Sequence, residues 1–194
     1  MADRKKHLIY FPGLGDHRDY GQSVALNFWK IYGINAECYR IGWSDSEPFS
    51  EKLEKVLEKI DFLAKSGSVA IMGASAGASA ALNVFARRQD IISKVVCVAG
   101  KIGGLDKIGQ KTFQENPAFK GSIDMLPGSL GELGADQRSK ILSLHPIYDG
   151  TVPVVDTIID GATERSQPVI EHPISIFYAL TIGSYGVARF INQE

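Results

Sequence analysis

The sequence predicts an α/β protein: a three-layer α/β/α sandwich around a mostly parallel sheet of about six strands. Three observations predict it. Short apolar runs alternate with amphipathic stretches along the chain, the pattern of βαβ units. The 194 residues, 44% hydrophobic, suffice for one domain (1–194) with a substantial core. A turn of small residues, Gly73-Ala74-Ser75-Ala76-Gly77, lies between an apolar run and an Ala-rich helical segment.

The elements follow in order. His7 to Phe11 is a compact apolar run ending at Pro12-Gly13 and reads as a buried strand. Tyr20 to Ile31 reads as a helix with Gly33 at its C-terminal cap. Asn35 to Ile41 is a second strand. From Ser50, which can cap the N-terminus, Leu53, Val56, Leu57, Ile60 and Leu63 recur at helical spacing, and Gly67 follows the end. Val69 to Met72 is a third strand, Ser75 to Arg88 a helix, and Val95 to Ala99 a fourth strand. Ile141 to Leu144 and the short Val169-Ile170 complete the sheet. Pro173 to Ile191 reads as one closing helix, opened by proline at an early position. Residues 101–140 break the rhythm. Rich in Gly and polar residues, with Pro117 and Pro127, they read as a small cap or surface excursion beside the site.

Composition excludes several function classes. A formal net charge of -1 offers no basic field for nucleic acid and no polybasic membrane patch, and it points to no strongly charged substrate. Cys38 and Cys97 sit in apolar, strand-like surroundings, as buried thiols in a reducing compartment do. No Cys/His spacing supports a metal site. The start, Met1-Ala2-Asp3-Arg4-Lys5-Lys6, is charged like a signal peptide, but the apolar run Leu8 to Phe11 is too short for one. With no apolar run near membrane-span length, the chain reads as cytoplasmic. Neither a heptad pattern nor an obvious apolar face sets an oligomeric state.

The segment Gly73–Gly77 satisfies G-x-S-x-G and has the required context, a strand before and a helix after. A nucleophilic serine on such a turn needs small neighbours so that strand and helix approach closely. It also gains from the helix N-terminus, where developing negative charge is favoured. The bland alternative is a helix start with Ser75 as its cap.

On these residues the chain resembles the α/β-hydrolases, especially the short single-domain serine hydrolases, over nearly its whole length. The first two antiparallel strands of larger relatives are missing from the pattern. The resemblance implies a triad in the order serine, acid, histidine. Asp149 matches the acid: the apolar run Ile141 to Leu144 leads into Asp149-Gly150-Thr151-Val152-Pro153. Asp124, Asp136 and Asp156 are weaker choices, none directly after a convincing strand. His172 alone of the four histidines lies beyond Asp149. His145 is the runner-up base. The resemblance places the oxyanion donors at the Ala76 and Leu14 amides, with Pro12 standing where many relatives carry histidine. It implies acyl transfer from a small-molecule ester, thioester or amide, with no metal and no organic cofactor. Phe113, Phe119, Met125 and Leu126 are candidate apolar substrate contacts. His17 and Arg18, after the Gly13–Gly15 loop, either face the site or stay solvated. Two other readings stay open: an acyltransferase with the same triad, and a non-catalytic binding protein on the hydrolase scaffold.

Overall fold

The computed structural model describes residues 5–193; the charged start at Met1-Ala2-Asp3-Arg4 lies outside them. The sheet holds β1 (Lys5–Phe11), β2 (Ile34–Cys38), β3 (Gly67–Ala74), β4 (Ile92–Val98), β5 (Ile141–Tyr148) and β6 (Thr163–Ile170). Their order is β2-β1-β3-β4-β5-β6, and every neighbouring pair is parallel. The chain lays β1 first, steps outward to β2, then crosses back past β1 to β3. The winding reverses between β1 and β3, which opens a crevice beyond their C-terminal ends.

Eight helices are present among the described residues: α1 (Tyr20–Asn27), α2 (Phe49–Ala64), α3 (Ala76–Arg87), α4 (Gln110–Glu115), α5 (Pro117–Gly131), α6 (Ala135–Arg138), α7 (His172–Leu180) and α8 (Ser184–Asn192). Successive strand residues feed opposite faces of the sheet. Ile9, Phe11, Val69, Ile71, Val95 and Cys97 pack with α2, α3 and α5. Leu8, Tyr10, Ala70, Met72, Val96 and Val98 pack with α1, α7 and α8. Burial on both faces is why these strands read as unbroken apolar runs rather than alternating ones.

The elements differ from expectation where long-range packing overrides the local signal. Helix α2 starts at Phe49, with Pro48 at its cap position and no side-chain cap from Ser50. Phe49 is buried and stacks on Trp43 at 6.3 Å, and that contact fixes the start. Gly67 is the first residue of β3, not a helix cap, because a Cβ there would lie 1.9 Å from the Lys5 carbonyl oxygen. Strand β2 ends at Cys38, short of Ile41. Helix α1 tightens into a 3-10 turn over Phe28–Tyr32, and Gly33 closes it with φ 74°. Strand β6 extends back to Thr163; it is the sheet edge, where exposed Glu164, Arg165 and Ser166 hide the strand pattern.

The closing segment is two helices, bent by 59°. At the break the Gly183 amide donates to the Tyr178 carbonyl at 2.8 Å, and a Cβ on Gly183 would meet the Tyr178 ring at 2.6 Å. The turn lets α8 lay Val187, Phe190 and Ile191 into the core. No single helix among the described residues is long and apolar enough to cross a membrane. Residues 101–140 are mostly helical, and α5 packs on α3 and α2 as the crossover layer between β4 and β5.

Candidate active site

Ser75 joins β3 to α3 with φ 53° and ψ -119°, a conformation that costs a non-glycine residue free energy and persists only where neighbours enforce it. The neighbours are backbone. The Ser75 amide donates to the Val98 carbonyl at 2.9 Å, and the Lys101 amide donates to the Ser75 carbonyl at 3.3 Å. Two glycines allow the approach. A Cβ on Gly73 would lie 2.2 Å from the Gly77 carbonyl oxygen, and one on Gly77 would lie 2.0 Å from that of Phe11. Among the described residues, the non-glycine positions with positive φ are Ser75, Ala99 and Glu171. All three follow the C-terminal end of a strand, so backbone strain concentrates on the rim that carries the site.

Asp149 leaves the end of β5 and is 6% exposed. One carboxylate oxygen, Oδ1, accepts from the Thr151 and Val152 amides, each at 2.8 Å. The other, Oδ2, lies 2.7 Å from His172 Nδ1. The carboxylate therefore fixes its own loop and the imidazole together. His172 opens α7 directly after Glu171, whose amide donates to the Tyr148 carbonyl at 2.8 Å and ties this loop to β5. His172 and Ser75 line one cavity of about 270 Å³, together with Gly13, Leu14 and Thr151. They share that wall without a hydrogen bond: Ser75 Oγ has no partner among the described residues.

The loop after β1 crosses in front of Ser75. A Cβ on Gly13 would lie 3.0 Å from Ser75 Cβ and 3.6 Å from its Oγ. The Leu14 and Ala76 amides have no protein acceptor among the described residues, so both are available as donors beside the serine. Buried polar groups hold this loop. Asp16 Oδ2 accepts from the Gly42 amide at 2.7 Å, and Trp43 Nε1 donates to the Pro12 carbonyl at 3.1 Å. Asp19 pairs with Arg40 and accepts from Ser23 Oγ at 3.1 Å and Cys38 Sγ at 2.9 Å.

The hydrogen bond from Arg40 holds the Asp19 carboxyl at about 2, below its ordinary 3.8, while burial opposes the shift. A depressed carboxyl contributes stability that is complete above the ordinary value and is lost as pH falls through the folded one. The melting temperature is therefore expected to drop between about pH 4 and pH 2, and Asp19→Asn should flatten that limb while lowering stability at pH 7. Melts across that range check it; an unchanged limb in the variant would assign the acid loss to other groups. Burial pushes both cysteine thiols up to about 12, so neither is a thiolate at neutral pH.

Other candidates fall elsewhere. His145 faces Glu164 across β5 and β6, with Nε2 to Oε1 at 3.0 Å, and is not in the cavity. Asp124 pairs with Lys120 on the α5 surface at 2.5 Å. Asp156 is buried against Lys101 at 2.5 Å. Leu126 is fully buried in the core and Met125 packs against that core; neither lines the cavities at Ser75. Phe119, on the same face as Leu126 but about two turns nearer the N-terminus of α5, is buried in that core and also lines the cavity. Arg18 lines the His172 cavity and His17 does not. Asp16 and Asp19 line the His172 cavity, and Lys101 and Lys107 line the second cavity at Ser75; none of the four was a candidate in the sequence. Only Asp16, directly after Gly13-Leu14-Gly15, carried a local signal.

No family model and no curated protein matches this chain. Solved structures do. Est1E from Butyrivibrio proteoclasticus superposes with a TM-score of 0.67 at 14% identity, over 98% of this chain and 88% of that one. A Paleococcus ferrophilus monoacylglycerol lipase gives 0.61 at 12% identity, over 95% and 93%. A carboxylesterase from the thaumarchaeon Nitrososphaera gargenis gives 0.63 at 12% identity, over 96% and 92%. Such likeness, with the parallel six-stranded sheet and a serine turn at its switch point, gives the chain the α/β-hydrolase fold.

Proposed function

We propose that this protein is a serine hydrolase of carboxylic esters, acting through an acyl-enzyme on Ser75. One observation carries the reading. The Asp149–His172 hydrogen bond of 2.7 Å ends on the same small cavity as a serine held in a strained strand-to-helix turn. A cap serine has no need of that strain, nor a surface histidine of a buried carboxylate. The esterases and lipases among the structural likenesses fit the same chemistry.

In the proposed reaction His172 Nε2 takes the Ser75 proton as Oγ bonds to the substrate's carbonyl carbon. The Leu14 and Ala76 amides receive the carbonyl oxygen as it gains charge. The carbon–oxygen bond to the leaving group then breaks, and the proton on His172 passes to the departing alkoxide. Water repeats the sequence: His172 takes its proton, its oxygen bonds to the acyl carbon, and the acid leaves as Ser75 regains a proton. Asp149 stays ionised throughout, holding the imidazole so that Nε2 faces the serine. Residues of the stretch from Lys101 to Phe119 form one wall of the acyl-binding side.

Labelling by a fluorophosphonate probe tests the reading. Wild type is expected to label, and Ser75→Ala and His172→Ala are expected not to. A folded wild type that fails to label, with circular dichroism and melting intact, would replace hydrolysis with the binding-scaffold reading.

A further inference from the structure

We infer that the acyl group this enzyme accepts ends in a carboxylate, which is held by Lys101 and Lys107. The inference rests on the hydrolase reading above and names its substrate class.

Two cavities meet at Ser75, and the chemistry distinguishes them. The leaving group must receive the His172 proton, so it lies in the cavity lined by His172. The acyl chain then projects to the other side of the serine. There a second cavity, of about 440 Å³, is lined by Ser75 and both proposed oxyanion residues, Leu14 and Ala76, but not by His172.

Part of its lining is polar and bears net positive charge. Lys101, Lys107 and Asp156 line it, two cations to one anion, beside apolar Ile108 and Phe119. The Lys101 side chain is only 13% exposed and binds Asp156 at 2.5 Å. An ammonium carries three donors, and Asp156 is the one hydrogen-bond partner of Lys101 Nζ among the described residues. The largely buried cation thus keeps donors to offer. It is also firmly mounted: its amide binds the Ser75 carbonyl, and the Ile102 and Gly103 amides donate to the Asp156 carbonyl at 3.0 and 2.7 Å. The Asp156 carboxylate fills the space over Gly104, where a Cβ would lie 2.6 Å from Oδ2. Lys107 stands exposed on the same cavity and has no ion-pair partner among the described residues. An acyl chain of a few carbons crosses the apolar stretch and presents its terminus to these two ammonium groups. A terminal carboxylate meets both; a terminal methyl would strand the donors of Lys101.

The test compares p-nitrophenyl butyrate with the p-nitrophenyl half ester of succinate, which differ only at the acyl terminus, after subtraction of spontaneous hydrolysis. Wild type is expected to favour the half ester in kcat/KM by about tenfold, the size of one charge-assisted hydrogen bond. That ratio should shrink with added salt and fall in Lys107→Gln and in Lys101→Met. The ratio within each variant is read, so a loss of folded protein cancels. A wild-type ratio of one or less, or a ratio unmoved by both substitutions, overturns the inference while fluorophosphonate labelling of Ser75 keeps the hydrolase reading. Absence of labelling in the folded protein overturns both.

Discussion

Asp149→Asn is expected to lower kcat by about 10⁴-fold while the fold survives. The reason lies in how the two carboxylate oxygens divide their work. The Thr151 and Val152 amides both donate to Oδ1, and an asparagine carbonyl oxygen accepts them equally well. The loop after β5 therefore stays in place. His172 Nδ1 meets the other oxygen, and there the amide presents N–H groups instead of an acceptor. The imidazole must then accept at Nδ1 and carry its proton on Nε2, the nitrogen that takes the proton of Ser75 in the proposed reaction. Turnover of p-nitrophenyl butyrate, a thermal melt and NMR of the imidazole tautomer check the three parts. Turnover near the wild-type value in a folded variant would remove Asp149 from the mechanism.

The largest expected effect on stability comes from a single methyl group. Gly77→Ala is expected to cost about 3 kcal/mol or more, a fall of roughly 6–12 °C in melting temperature for a domain of this size. The added Cβ would stand 2.0 Å from the Phe11 carbonyl oxygen and 2.9 Å from that of Pro12, and both neighbours are backbone. Helix α3 can relieve the overlap only by moving away from β1, which also shifts the loop bearing the Leu14 amide. Activity should therefore fall beyond the loss of folded protein. Gly128→Ala in α5 is the control, since nothing lies within 4 Å of its added Cβ. There helix propensity predicts a small gain, up to about 1 kcal/mol. Similar melts for the two variants would show that the α3–β1 approach is softer than its geometry implies.

The glycines explain why the site was partly legible. G-x-S-x-G records a close backbone approach, and close approach leaves a mark in composition because only small residues fit. Gly73, Ser75 and Gly77 could be read for that reason. Their flanking strand and helix could be read because burial on both faces of the sheet leaves unbroken apolar runs. Asp149 and His172 became candidates only through the order that the resemblance supplied, since Asp-Gly is a common turn and His172 has no local mark.

Taken alone, the sequence determined the layer architecture, the parallel sheet and the serine turn. Each rests on a periodicity or steric rule acting over a few residues, which neighbouring side chains carry in full. Tertiary structure alone decided the rest. The closing segment breaks at Gly183 because α8 must turn onto β4, and apolar spacing reads the same through a bend. Phe119 and Leu126 lie seven positions apart on one core-facing side of α5, yet only Phe119 also lines the cavity, because it sits about two turns nearer the N-terminal end of the helix. Lys101 and Asp156 stand 55 positions apart, and Asp19 and Arg40 stand 21 apart. The free energy of such pairs depends on burial and on partners that the chain meets only once folded, and a near-neutral total charge conceals where each sign collects.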